Sequence, residues 1–339
     1  MNKSQRRIIV IALLALAVIA LISYYRKRSQ EVEVPTPAPV AGKLVIHFLN
    51  IGQGDCELIQ LPGGETILID TGDRGAPTVD LLKRYGVKEI NLAIATHPHA
   101  DHMGEMVDVM RAFKVRELWD AGLNTGKVTY RRMLEEVDKQ GIKFSTPRRG
   151  DSLKVGDALL EVLNPGSELD EENPNNSSIV VRLTYGSKRF LFTGDAEIDK
   201  SGKTSSAWRS MLQTERAKLP VDLLKASHHG SHNGTTAEIL DAVRPAIVTV
   251  SCAMGNDYGH PHREVMDLLR SRKNNIALYR TDLQGTITAT TDGNTIEMSA
   301  EKQVAQDRLH LSGNELANGL ATDGRQRSRS YGGAEKMRK

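Results

Sequence analysis

Thr96-His97-Pro98-His99-Ala100-Asp101-His102-Met103-Gly104 is the stretch that decides how this chain is read. Three histidines and an aspartate follow one another in the order HxHxDH, directly after the apolar run Leu92, Ala93, Ile94, Ala95, which has the character of a buried strand. Imidazole and carboxylate are ligands of zinc and related divalent ions, and a loop leaving a strand end can bring them to one point. A polar turn around Pro98 and Ala100 with surface histidines is the competing reading. Histidine is scarce in this chain, 10 in 339 residues, so crowding three of them into one loop favours a metal cluster.

Upstream, Ile67 to Gly72 (ILIDTG) ends an apolar strand on Asp70. Five further segments stand out in order: Phe48 to Asp55 (FLNIGQGD), Asn175 to Val180 (NNSSIV), Phe190 to Asp195 (FLFTGD), Leu224 to Ser231 (LKASHHGS) and Tyr258 to His262 (YGHPH). HxHxDH behind a strand, with an aspartate upstream, resembles the metallo-beta-lactamase fold. The five segments together resemble the hydrolase domain of the ComEC family of competence proteins, and the resemblance runs from about Leu44 to Met298. It implies an α/β protein of four layers, an αββα sandwich, and a metal-dependent hydrolase with two divalent ions, zinc or manganese.

The resemblance also implies roles. His97, His99 and Asp195 would hold one ion; Asp101, His102, His229 and the shared Asp195 would hold the other, with Asp101 also orienting the attacking water. Asp70 is expected to orient a ligand from behind, the support that a metal site requires, and Asp55 to brace the site from the glycine-rich GQGD turn. By residue type alone, Asp70 could instead cap a helix or turn, the GQGD loop could as readily be purely structural, and Gly194-Asp195 after a strand is also a common turn. Of the adjacent pair, His229 is expected to bind metal and His228 to contact substrate, an assignment that adjacency alone leaves open.

Two positions depart from the family pattern. Asn50 stands where ComEC proteins usually carry aspartate, and His99 where they often carry another residue. No histidine occurs between His102 and His228, so a third metal histidine of the superfamily is replaced by Asn175, Asn176, Ser177 and Ser178. Asn176 and Ser178 are expected to offer neutral hydrogen bonds to a phosphate or a water, against a plain turn as the other reading. His260 is a candidate to protonate a leaving oxygen or bind phosphate, unless it merely opens a helix. His47 reads as structural, His232 as a surface residue, and His310 falls in the tail.

The rest of the chain sets the frame. From Ile8 to Ser23 the sequence is apolar and then meets Tyr24 and Tyr25, long enough to span a bilayer with tyrosines at the interface. No small-residue cleavage pattern follows, which favours an uncleaved anchor over 1–30 rather than a signal peptide. Lys3, Arg6 and Arg7 before the span are matched by Arg26, Lys27 and Arg28 after it, so flanking charge does not orient it. Residues 31–42, with Pro35, Pro37 and Pro39, read as an extended tether. Residues 43–300 suit one large α/β domain, and 301–339 read by composition as a disordered basic tail around Arg325, Arg327 and Arg329, with a short helix at Leu311 to Leu320 as the one exception. Cys56 and Cys252 lie in apolar surroundings and read as buried thiols rather than a disulfide.

A net charge of +3 is too small to mark a dedicated nucleic-acid binder. The functional expectation therefore rests on the motifs: a phosphodiesterase or nuclease acting on DNA, held at a bacterial cytoplasmic membrane with its domain outside, with the DNA-uptake machinery as partner. A lactamase, lactonase or phosphocholine esterase on the same scaffold is the alternative, and a non-catalytic binding module of an uptake or envelope assembly the more distant one.

Overall fold

The computed structural model describes residues 42–199 and 206–319. Two mixed sheets lie face to face. The first has eight strands in the order Ile296–Ala300, Ile287–Thr291, Leu44–Phe48, Glu57–Gln60, Thr66–Ile69, Leu92–Ala95, Glu117–Asp120, Lys143–Ser145. The second has seven: Ala277–Arg280, Ile247–Val250, Leu223–Lys225, Lys188–Phe192, Val180–Tyr185, Ala158–Asn164, Ser152–Val155. Side chains alternate across each strand, which builds the layers. Leu92 and Ile94 point between the sheets with Ile46, Phe48, Ile67, Leu160, Val181 and Phe192, whereas Ala93 and Ala95 point outward against Met106, Val109 and Met110. Behind the second sheet, Trp208, Met211, Ile239, Val265 and Leu269 from three helices cover Leu191, Leu224 and Val248. The result is the expected αββα sandwich, with the indole N–H of buried Trp208 satisfied by Ser227 Oγ at 3.0 Å.

Within each sheet a run of parallel strands (Thr66–Ile69, Leu92–Ala95, Glu117–Asp120, Lys143–Ser145; Lys188–Phe192, Leu223–Lys225, Ile247–Val250, Ala277–Arg280) sends its C-terminal ends to one edge. Asp70, His97, Asp195, His228 and Ser251 all follow such ends. The strand pair Ile287–Thr291 and Ile296–Ala300 was not singled out by the sequence. It returns antiparallel onto Leu44–Phe48, so it is fixed by a partner at the other end of the domain.

The C-terminal boundary needs correction. Residues 301–319 are not a free tail: Gln306–Leu309 and residues 313–319 are helical, and Leu309, His310, Ser312 and Leu316 are buried. Composition hides this because the anchor lies elsewhere. Arg280, 0% exposed, pairs with Asp282 at 2.7 Å and donates to the carbonyls of Leu309, at 2.9 Å, and Leu311. A buried guanidinium with its donors filled by chain carbonyls ties the segment down. His310 is therefore part of the domain. The basic patch at Arg325 to Arg329 lies outside the described residues, as do the expected span at Ile8 to Ser23 and the tether up to residue 41. Among the described residues no helix is long and apolar enough to cross a membrane. Both cysteines are free and buried, as expected.

Candidate metal centre

Each ligand loop is held by backbone geometry that its sequence permits. Asp70 sits at φ 57° where its strand ends, which turns its carboxylate back under the neighbouring strand. There it accepts from Thr96 N at 2.8 Å, Thr96 Oγ1 at 2.7 Å and His102 Nδ1 at 2.7 Å. With Nδ1 occupied, His102 presents Nε2 to the site, the support that fixes an imidazole ligand. The GQGD turn packs against the same loop, with Asp55 N donating to Asp101 O at 3.1 Å. A Cβ on Gly54 would lie 2.0 Å from that carbonyl, so only glycine fits. From the second sheet, Gly194 presses its backbone against Thr96 and delivers Asp195, while His228 and His229 both adopt left-handed conformations (φ 51° and 53°). Such backbone is rare for histidine and concentrates at functional sites. It sends the two rings in different directions.

His102 Nε2 comes within 3.2 Å of Asp195 Oδ1, and His229 Nε2 within 3.5 Å of that oxygen and 3.2 Å of Asp101 Oδ2. His97 Nε2 lies 3.8 Å from the other oxygen, Asp195 Oδ2, and 3.0 Å from His99 Nδ1. The side chains thus form two overlapping sets, Asp101, His102, Asp195, His229 and His97, His99, Asp195, each with its donor atoms within 4.8 Å of one another. They share Asp195. His102 Nε2, His229 Nε2 and Asp195 Oδ1 are buried and lack a hydrogen-bond partner of good geometry among the described residues. Buried polar atoms left open at a common focus, in a donor set of imidazoles and carboxylates, fit two divalent ions.

Electrostatics agree. Burial disfavours charge on His229, but Asp195 and Asp55 outweigh it and raise its pKa to about 10; on His102, Asp195, Asp70 and Asp101 do the same. Burial pushes Asp195 up, and the surrounding His102, His229 and His228 bring it well below the usual range. Burial keeps His97 and His99 neutral, the form that ligates metal. The site is rich in carboxylate, and cations bound there would replace the protons that now balance it.

Under this floor lies a charged layer, of which the sequence singled out Asp55 but neither Lys225 nor Glu57. Lys225, 1% exposed, pairs with Asp55 Oδ2 at 2.7 Å, and Asp55 Oδ1 faces His229 Nδ1 at 3.2 Å. His229 Nδ1 also lies 3.0 Å from Ser251 O. Glu57 is buried beside them, and burial together with Asp55 pushes its carboxyl far up. A lysine in the otherwise apolar strand Leu223–Lys225 was the available signal. Asp55 thus stands behind His229, a candidate ligand.

The floor opens into a cavity of 600 Å³ lined by Gln53, His99, Asp101, Asn175, His228, Met254, Tyr258 and His260, among others. His228 Nδ1 lies 2.9 Å from Glu197 Oε1, an ion-pair contact, and its Nε2 lies 3.7 Å from Asp195 Oδ2. Glu197 also accepts from Asn175 Nδ2 at 2.7 Å and Asn173 Nδ2 at 2.9 Å. Burial raises the Glu197 carboxyl, but these bonds from His228, Asn175 and Asn173 hold it below the usual range. Glu197 is a further residue that the sequence did not announce. His260 lines the cavity, buried and pushed down to about 3 by burial and by the neighbouring His229 and His228.

The roles given to Asn176 and Ser178 need correction. Asn176 donates to Asp170 Oδ2 at 2.9 Å and accepts from Ala207 N at 3.2 Å, so its amide is spent on joining its loop to the start of the helix Ala207–Thr214. Ser178 Oγ accepts from Asp195 N at 3.2 Å and braces a ligand. Asn175 is the amide that reaches the cavity, one residue from the position favoured by sequence, because the short helix Pro174–Ser177 fixes which side chain turns inward. His47, buried against Thr288 Oγ1 at 2.9 Å, is structural, and His232 is exposed. A larger recess of 1260 Å³ at Arg270, Lys273 and Arg308 lies at the opposite ends of the strands, away from every ligand.

The family model of the metallo-beta-lactamase superfamily matches residues 49–253, the span that holds all of these ligands. The chain belongs to that superfamily. This metallo-beta-lactamase domain is similar to ComE operon protein 3 of Bacillus subtilis, 28% identical over 261 residues that cover 71% of this chain and 32% of that protein. It is also similar to competence protein ComA of Neisseria gonorrhoeae, 27% identical over 241 residues, 70% of this chain and 31% of that one. The chain therefore spans about a third of these relatives, and the ComEC-like resemblance is to that part of them. Among solved structures it is similar to CmlA, a diiron beta-hydroxylase of Streptomyces venezuelae, with a TM-score of 0.50, 19% identity, and 75% and 55% of the two chains covered. At that identity the likeness concerns the fold alone.

Proposed function

We propose that this metal-dependent hydrolase of the metallo-beta-lactamase superfamily is a phosphodiesterase, with DNA as its substrate, working at a bacterial cytoplasmic membrane. The observation that carries the reading is the pair of ligand sets sharing Asp195 beneath one open cavity. Two divalent ions there, zinc or manganese, would supply Lewis acidity to phosphate oxygens and make water a nucleophile at neutral pH. The protein's own groups do the rest. Asp101, the most exposed carboxylate of the floor, orients the attacking water. His228, paired at Nδ1 with Glu197, directs Nε2 toward the reacting centre, where its imidazolium form donates to a phosphate or leaving oxygen. It takes over the donor role first assigned to the asparagine-serine segment. His260 stands behind it as a neutral ring. The substrate and the membrane setting draw support from the similarity to competence proteins, which also suggests the DNA-uptake machinery as partner.

The deciding experiment incubates the metal-loaded chain and its Asp101→Asn variant with labelled single- and double-stranded DNA. Cleavage by the first and not the second supports the reading; inert DNA beside rapid hydrolysis of a lactam, lactone or phosphocholine ester rejects it. Protease added to intact spheroplasts should degrade the domain if it faces outward, and its full protection would reverse that orientation.

A further inference from the structure

The mouth of the cavity has a side that the chemistry above does not use. Tyr258 is 65% exposed, the most exposed large apolar side chain in the described residues, and Met254, also exposed, lies on the same loop. A lone exposed aromatic is ordinary on a surface. This one is built in. Its ring lies nearly parallel to His260, with centroids 5.6 Å apart and planes 19° from each other. Its carbonyl accepts from His262 Nε2 at 3.1 Å. Asn256 clamps the loop, donating to Ala253 O at 2.8 Å and His260 O at 2.7 Å and accepting from His260 N at 3.0 Å. His260 in turn stands 5.3 Å from His228 and 6.0 Å from His229, ring centre to ring centre. A row of rings leads from the lip of the cavity to the metal ligands.

Polar groups with no partner complete the wall. Gln53 accepts from Ala253 N at 3.2 Å, yet its Nε2 finds no partner among the described residues, and the same holds for Asn175 Oδ1. Both residues line the cavity. An unspent donor, an unspent acceptor and a flat apolar shelf beside a reacting centre are what a planar heterocycle with polar edges requires. Among the described residues the lining of this cavity offers amides and rings. We infer that the Tyr258 and Met254 shelf is a base-binding subsite, which seats the nucleobase next to the scissile phosphodiester by stacking on Tyr258 and meets its edge with Gln53. The inference rests on the phosphodiester reading and names the part of the substrate that the site grips.

The test uses the full chain loaded with manganese, a single-stranded DNA, and a strand of the same length with abasic positions throughout. Stacking on an aromatic residue is worth enough per base to change affinity about 10-fold. Wild-type protein should cleave the base-bearing strand with a KM about 10-fold below that of the abasic strand. Tyr258→Ala should abolish that preference, and Tyr258→Trp should keep it. Gln53→Ala should weaken the preference partly. Equal KM for the two strands in wild type, or a preference that survives Tyr258→Ala, overturns the inference while the nuclease stands. If neither strand is cut, fluorescence anisotropy decides. Tyr258-dependent binding of the base-bearing strand alone keeps the subsite and removes the phosphodiesterase reading; equal or absent binding removes the subsite.

Discussion

The two sheets contribute to the candidate metal centre in opposite ways. The first gives His97, His99, Asp101 and His102 from one short loop, and their support, Asp70, comes from the adjacent strand end. The second gives Asp195 and His229 from two strand ends, and His229 is supported from across the sandwich by Asp55, itself held by Lys225. One half is local and its order in sequence is its order in space. The other is assembled by tertiary packing, through left-handed histidines and a buried ion pair. A site can therefore be announced by one half and depend on the other.

The largest effect should come from the residue that joins the halves. Asp195→Asn is expected to lose both ions and all activity, because each ligand set includes that carboxylate. His99→Ala, which touches one set only, should retain about one ion per chain. Metal analysis of the purified variants compares the two directly. Equal retention in both variants would mean that Asp195 is not shared.

Next in size is the buried pair that belongs to the second half alone. Lys225→Met strands the Asp55 carboxylate in the interior, and removing one partner of such a pair costs about 3–5 kcal/mol. Denaturant melts should show that loss. Replacing both groups, Asp55→Leu with Lys225→Met, should recover much of the stability, because a well-packed apolar pair avoids the desolvation penalty. It should not recover metal affinity, since His229 then has no carboxylate behind it. If the double variant binds metal as the wild type does, the pair serves the fold and not the site.

A smaller effect is expected on the local half. Asp70→Asn keeps the shape but weakens the hold on His102 Nδ1, and supports of this kind are worth about 10–100-fold in metal affinity. Competition with a chelator measures it. A loss no greater than that for His99→Ala in total metal, with the fold intact, fits a residue that orients a ligand without binding the ion.

The same division explains what the sequence made legible. The strands and their ends could be read because apolar runs ending in Asp70, His97, Asp195 and His228 carry their own periodicity and punctuation, and the family resemblance of those motifs implied the sandwich. Lys225 was marked only by standing in an apolar strand, which does not tell that it crosses the sandwich to Asp55, and Glu197 was marked by nothing local. The choice between Asn175 and Asn176 depended on one turn of a short helix. The segment after residue 300 looked like a tail because its anchor, Arg280, contributes nothing to local composition. The base-binding shelf was invisible for a similar reason, since one tyrosine becomes a platform only when His260 is folded beneath it.

The smallest effect should come from the mouth of the second half. Glu197 faces three donors with two carboxylate oxygens: it accepts from the amides of Asn175 and Asn173 and pairs with His228 Nδ1 at 2.9 Å. Glutamine offers one acceptor oxygen and an amide that itself donates, so Glu197→Gln must leave one of these three donors facing another donor. The metal ligands keep their own supports, Asp70 behind His102 and Asp55 with Ser251 O behind His229. Metal content should therefore stay at the wild-type level. What is lost is the fixed direction of His228 Nε2, and positioned proton donors contribute about 10²–10⁴-fold when removed outright. A donor that remains but turns freely should cost less, about 10-fold in kcat, with Glu197→Asp recovering part of it. A fall in metal content equal to the fall in rate would place Glu197 with Asp55 as a support of the ligands, and would extend the tertiary half of the site up to its rim.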